Sequence, residues 1–335
     1  MRLRADRVKV SVPATTMNLG PAFGSLGLAL GRNDNATIRA VAGPSQVRII
    51  DADTQSEPEY WLEPHRVERH LSIRALRLLL DHVGSPQVGV ALTYRRGIPI
   101  DAGLGDREAQ ILVGLYGAWT LLGKPAQVSE EMLADLARHM RASPVRTFTA
   151  TNGSLALGLP GGALDDTLAD DAATDTETHP TKYLSFRPAA QVNPVVLVPG
   201  FVLPEEEAAS ILPRAVSFRR SAANAARSAA LVPLITQDLP TEDDGEGGEW
   251  SRWRNLTVAA TRDDIVTLHR QAFSPASVAM VNWLAGRGIA AFLSGAGPAV
   301  VCLWPPDPEQ QRSIAKAGWR VLHTGVDVSG LTLDV

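Results

Sequence analysis

Val12-Pro-Ala-Thr-Thr-Met-Asn-Leu-Gly-Pro-Ala-Phe-Gly-Ser-Leu-Gly-Leu-Ala-Leu30 is the stretch whose reading decides the fold. Just before it, Val8 to Val12 alternates apolar and polar residues and stops at Pro13, the pattern of a strand. Ala14 to Gly24 is rich in small residues and reads as a loop. Beyond Leu30, Asn35 to Ala42 and Gln46 to Ile50 read as strands parted by the Gly43-Pro44 turn. His65 to Val83 places Leu71, Ala75, Leu78 and Leu79 on one face, so a single helix is predicted there. Val88 to Tyr94 alternates again as a strand. Gly97 to Gly105 is a glycine-containing loop that opens a helix running through Leu121. Ser129 opens the next helix, with Glu130 and Glu131 in the first turn, where the helix dipole favours acids.

The second half alternates in the same way. Val195 to Val198 reads as a strand, then Glu205 to Leu212 and Ser221 to Ile235 as helices. Val278 to Gly286 is a predicted helix, followed by a strand from Ile289 to Leu293 and the Gly295-Ala-Gly297-Pro298 turn. Strand Ala299 to Trp304, helix Pro308 to Ala317 and strand Trp319 to His323 close the chain. Asp165 to Lys182 and Asp238 to Glu249 are acidic and poor in large apolar residues, the composition of mobile segments. The expected class is α+β with two domains, 1–164 and 183–335, joined by an acidic loop or linker over 165–182.

Composition narrows the function. The 335 residues are 45% hydrophobic and 20% charged, ordinary for a globular protein, and the net charge is -4. A nucleic-acid partner needs a concentrated basic surface, so none is expected. No stretch has the length of a membrane span and no secretory pattern follows Met1, so a cytoplasmic protein away from membranes is expected. The only cysteine, Cys302, lies in an apolar run and reads as an inert core thiol. The seven histidines have no metal-binding spacing; His139 reads as a lone helical histidine.

Gly103-Leu104-Gly105 before a helix and Ser294-Gly295-Ala296-Gly297 between two strands are each compatible with a plain turn. Their order and spacing after the opening stretch carry more. Val12 to Leu30 resembles the first motif of homoserine kinases, PATSANLGPGFDSLGLAL. Ile98 to Gly105 lies where that family has its phosphate loop, and Phe292 to Val300 resembles its third motif, SGAGPTV. The likeness spans nearly the whole chain and identifies it as similar to the GHMP small-molecule kinases. What it implies is a domain like that of ribosomal protein S5, a ferredoxin-like second domain, and ATP with magnesium phosphorylating the hydroxyl of homoserine in threonine synthesis.

By the same resemblance, the backbone of Gly103, Leu104, Gly105 and Asp106 would hold nucleotide phosphates at a helix N-terminus. Asn18 would contact the substrate, and Arg227 and Arg270 would bind its carboxylate. The chain departs from the family elsewhere. Asp106, Arg107 and Glu108 replace the loop serines and the residue after them, and Gly24 replaces an aspartate. Arg141-Ala-Ser-Pro-Val-Arg146 stands where the family has EGHPDN, so an arginine replaces the magnesium carboxylate. Asp106 is then the one candidate metal ligand, and no catalytic residue is retained. Two readings follow: a homoserine kinase-like enzyme of weak or absent activity using ATP and magnesium, or a cofactor-free binding or regulatory protein for homoserine or a related amino acid. Homodimerisation is compatible with either.

Overall fold

The structure, a computed structural model, describes residues 3–52, 58–160, 180–203, 213, 215–239 and 247–335. Elements are numbered in chain order. β1 (Arg7–Met17) and β2 (Leu26–Val41) form the antiparallel centre of the larger sheet. β5 (Gly89–Arg96) flanks β2, β3 (Gln46–Asp51) joins β5 in parallel, and β4 (Glu59–Trp61) forms the edge. The parallel pair needs a crossover, which α1 (Pro64–Val67) and α2 (Leu71–His82) supply. α2 turns Ile73, Leu76, Leu79 and Leu80 inward against α3 (Asp106–Leu121), a helix apolar on nearly every side and buried accordingly.

The smaller sheet runs β11-β8-β10-β9, all antiparallel: β8 is Val195–Val198, β9 Ala291–Leu293, β10 Val300–Cys302 and β11 Arg320–His323. Strand periodicity divides its apolar residues between two cores. Val196, Val198, Phe292 and Val301 join the main core built on β1 and α3. Val195, Leu197, Leu293, Val300 and Cys302 face Val278, Leu284 and Ile314 in a second cluster. That double burial is why these strands read as unbroken apolar runs. The Cys302 thiol is buried, and burial pushes its pKa up, consistent with an inert core thiol.

Four sequence expectations change. β1 continues to Met17 through a register shift at Pro13/Ala14, so the first four residues of the expected Ala14–Gly24 loop are strand. The expected helix over 65–83 is broken, because His70 takes an extended backbone and its ring accepts the Ser72 N–H as the cap of α2. Four strands fall outside the expected set: β4, β6 (Leu155–Pro160), which pairs with β2, β7 (Pro180–Phe186), which pairs with β6, and β12 (Thr332–Asp334). β12 returns to β1, so 183–186 and 332–334 belong to the first sheet although the expected second domain included them. The helix expected over Glu205–Leu212 lies outside the described residues, as do most of the two acidic segments.

A buried carboxylate fixes the approach to the glycine loop. Asp34, 1% exposed, accepts from the Tyr94 hydroxyl at 2.6 Å and from the Gly97 and Ile98 N–H groups at 2.7 and 2.8 Å. Burial raises its pKa, and the three donors oppose that rise. Asp34→Asn, which turns an N–H2 toward donors, is expected to cost about 2–3 kcal/mol in urea unfolding. A loss within experimental error would show that the loop entrance does not depend on this carboxylate.

Candidate functional site

The three motif loops meet at one place. Asn18, at φ +75°, donates its side-chain N–H to the Gly295 carbonyl at 3.0 Å and accepts the Gly24 N–H at 2.9 Å. It therefore ties the first loop to the third through backbone contacts. Ser294 is fully buried, with its hydroxyl 2.9 Å from that of Thr16 and 2.7 Å from the Gly103 carbonyl. Gly103 has φ +77°, and a Cβ there would stand 2.3 Å from the Ser294 carbonyl oxygen, so the two loops touch backbone to backbone. Leu104 is buried, and its carbonyl accepts the Thr15 N–H at 2.9 Å. Gly105 caps α3 in the left-handed conformation. Ala296 and Gly297 complete the turn, which has a cis Gly297-Pro298 bond. The structure thus brings together Asn18, Gly103 to Asp106 and Ser294 to Gly297.

An arginine fills the space between these loops. Arg146 lies in the first turn of α5 (Pro144–Asn152). Its Nη2 donates to the Gly103 carbonyl at 3.0 Å, and its Nε lies 3.2 Å from the Met17 sulfur. A Cβ added to Gly295 would fall 2.0 Å from Nη2, and one added to Gly105 would fall 3.5 Å from Nη1. The guanidinium therefore lies against glycines of both loops. Its Nη1 is 3.7 Å from Glu108 Oε2, with the two side chains only 8% and 6% exposed. The other Glu108 oxygen accepts the Ser143 N–H at 3.1 Å, at the N-terminus of α5, where the helix dipole favours a negative charge.

Asp106 begins α3, and its pKa is pushed up to about 7, first by burial and then by the nearby Glu108 and Asp101 carboxylates, with Arg146 opposing. Arg141 is exposed in a left-handed backbone, and Val145 is buried. Neither offers an oxygen ligand.

No protein-family model matches the chain. It is 32% identical to a homoserine kinase of Streptomyces coelicolor over 98% of this chain and 95% of that protein. It is 30% identical to a homoserine kinase of Streptomyces avermitilis over 98% and 96%. The chain belongs to the homoserine kinase family. Among solved structures, homoserine kinase from Cytophaga hutchinsonii superposes with a TM-score of 0.72 at 19% identity, over 100% of this chain and 99% of that one. A mevalonate kinase superposes at 0.58 and 12%, over 95% and 99%. These likenesses show the two-domain α+β fold of the GHMP kinases.

The family implies ATP and magnesium, which need donors facing phosphate and oxygen ligands for a hard cation. The Thr15 hydroxyl, buried without a partner beside Gly105, is a donor that a phosphate oxygen could use. Against it stand the Asp106 and Glu108 carboxylates and the space occupied by Arg146. Among the described residues no group of three His, Cys, Asp or Glu side chains could hold a metal. The residues present do not fit magnesium and a polyphosphate.

Arg227 and Arg270 lie on helices of the second half of the chain. Arg227, on α6 (Phe218–Thr236), donates to Asp264 at 2.7 Å, and the pair is partly exposed. Arg270 ends α8 (Val266–Arg270) and is buried. A cavity of about 410 Å³ separates the first-motif loop, at Pro21, Phe23 and Ser25, from α6 at Asn224 and Ser228; among the described residues neither arginine lines it. Among those residues, too, no helix is long and apolar enough to cross a membrane.

Arg146 is the residue that sequence reasoning undervalued. In the sequence it is only the last residue of the segment that stands where the family has EGHPDN, whereas in the fold it is the partner of Glu108. The available signal was the coupling: an acid enters the phosphate loop while an arginine enters the segment facing it.

Proposed function

We propose that this chain is a homoserine kinase-family protein in which phosphorylation of homoserine by magnesium-ATP is weak or absent, and that it acts as an amino-acid-binding or regulatory protein on the GHMP fold. The observation that carries this reading is the Arg146 guanidinium against Gly103, Gly105 and Gly295, paired with Glu108 where polyphosphate oxygens would need to lie. Phosphoryl transfer depends mainly on positioning and charge neutralisation, and this loop carries the Asp106 and Glu108 carboxyls where the resemblance implies phosphate-contacting serines and the residue after them. By the family resemblance Arg227 and Arg270 would bind the substrate carboxylate, so homoserine and threonine are the ligands to test first.

A coupled assay with ATP, magnesium and homoserine is expected to give no turnover above background. Magnesium-ATP is expected to leave the thermal midpoint unchanged, since only a ligand that binds the native state raises it. Homoserine or threonine alone is expected to raise it. Turnover, or a midpoint raised by magnesium-ATP, removes the proposal.

A further inference from the structure

A second site lies on the other side of α5. There α5 and α4 (Glu130–His139) border a groove of about 510 Å³ roofed by Tyr183 of β7, a volume in the range of small-molecule sites. Its α4 wall is acidic. Asp135 pairs with Arg138 at 2.7 Å, which leaves the charges of Glu130 and Glu131 facing the groove. The start of a helix accommodates acids there in any case, so the case needs a feature that the helix does not explain.

Thr147 supplies it. α5 carries three threonines near its centre. Thr149 and Thr151 return their hydroxyls to the carbonyls of Val145 and Thr147, at 2.7 and 2.9 Å. Thr147 makes no such bond: it is 6% exposed, its hydroxyl has no partner, and it stands on the stripe of α5 that lines the groove. A buried hydroxyl without a partner costs stability that a ligand atom could restore. Beside it, the rings of Phe148 and Tyr183 stack at 4.2 Å and 6°. A flat aromatic pair next to two carboxylates is the setting that favours an ammonium or guanidinium on an apolar body.

We infer that this groove binds a small organic cation, an alkylammonium or guanidinium compound of amino-acid size. Glu130 and Glu131 hold its charge, the Phe148–Tyr183 pair holds its body, and the Thr147 hydroxyl takes a hydrogen bond. The site stands apart from the cradle and does not depend on whether the chain phosphorylates anything.

Calorimetric titration with agmatine tests it, with 1,5-pentanediol as the uncharged control. Agmatine is expected to bind with a Kd of about 1 mM or tighter, and more weakly as salt screens the carboxylates. The Glu130→Gln/Glu131→Gln variant alters exposed positions and keeps the fold; it is expected to bind about tenfold more weakly. Thr147→Val is expected to be at least as stable as the parent while binding agmatine less well. No heat with agmatine, equal affinity in the Gln variant, or equal binding of pentanediol would each overturn the inference.

Discussion

Arg146→Met is expected to lower the unfolding free energy by about 3–5 kcal/mol at neutral pH, the usual cost of removing one member of a buried ion pair. The expectation follows from where the guanidinium lies. Both side chains of the Arg146–Glu108 pair are more than nine-tenths buried, so the carboxylate left behind cannot recover its hydration. Methionine preserves much of the aliphatic volume, which keeps the cavity contribution small. Glu108→Gln in the same background removes the stranded charge while still offering an oxygen to the Ser143 N–H. The double variant is therefore expected to be more stable than Arg146→Met alone, with a coupling of about 1–3 kcal/mol in the cycle. Urea unfolding of the four proteins measures this, provided the m-value is constant. Independent, additive effects would mean that the two residues do not act as a pair. The single variant is not expected to gain magnesium-ATP binding, because Asp106 and the missing metal carboxylate remain.

The first and third motifs were legible in the sequence because each is read off consecutive residues. Loop conformation there depends on local glycines, and the contacts of Asn18 and Ser294 fall within the motif set. Long elements with strong periodicity were equally legible: α3 begins at Asp106, directly after the glycine loop, and α4 begins after its Ser129 cap. What was lost depends on distant partners. Ala14-Thr-Thr-Met17 has loop composition, yet it is held as strand by pairing with Gly27 to Leu30 and by the Thr15 N–H to the Leu104 carbonyl. β12 is three residues long and exists because β1 offers an open edge, with Lys9 and Asp334 joined at 2.7 Å. α5 carried a readable start, Ser143 before Pro144 at the first helical position. The family resemblance places ligand positions on that segment and says nothing of a helix. Arg146 shows the same limit: whether an arginine is a solvated charge, a lost ligand or a buried counterion is decided by what lies 38 residues earlier in the chain.

Asp106→Asn is expected to stabilise the protein in mildly alkaline solution and to have little effect below about pH 4. The Asp106 carboxyl is raised from 3.8 to about 7 in the folded chain, through burial and its neighbours Glu108 and Asp101. Between those values the native state holds a proton that the unfolded state has released. Stability from this group is therefore fully present below about pH 4 and is lost as pH rises through about 7. A rise of about 3 pH units corresponds to at most about 4 kcal/mol. Asparagine mimics the protonated acid at every pH, so the variant avoids that loss. His70 works in the opposite direction: burial lowers its pKa from 6.5 to about 4, so its contribution falls as pH drops through that window. Taking the difference between parent and Asp106→Asn cancels the His70 contribution, which both proteins share. That difference is expected to be near zero below about pH 4, to grow through the range between about pH 4 and 7, and to favour the variant by about 2–4 kcal/mol at about pH 8. Urea unfolding at a series of pH values reads it directly. A difference that stays flat across the series would mean that Asp106 is ionised and hydrated like a surface acid. The cradle would then be open to water, and Arg146 could not be filling it.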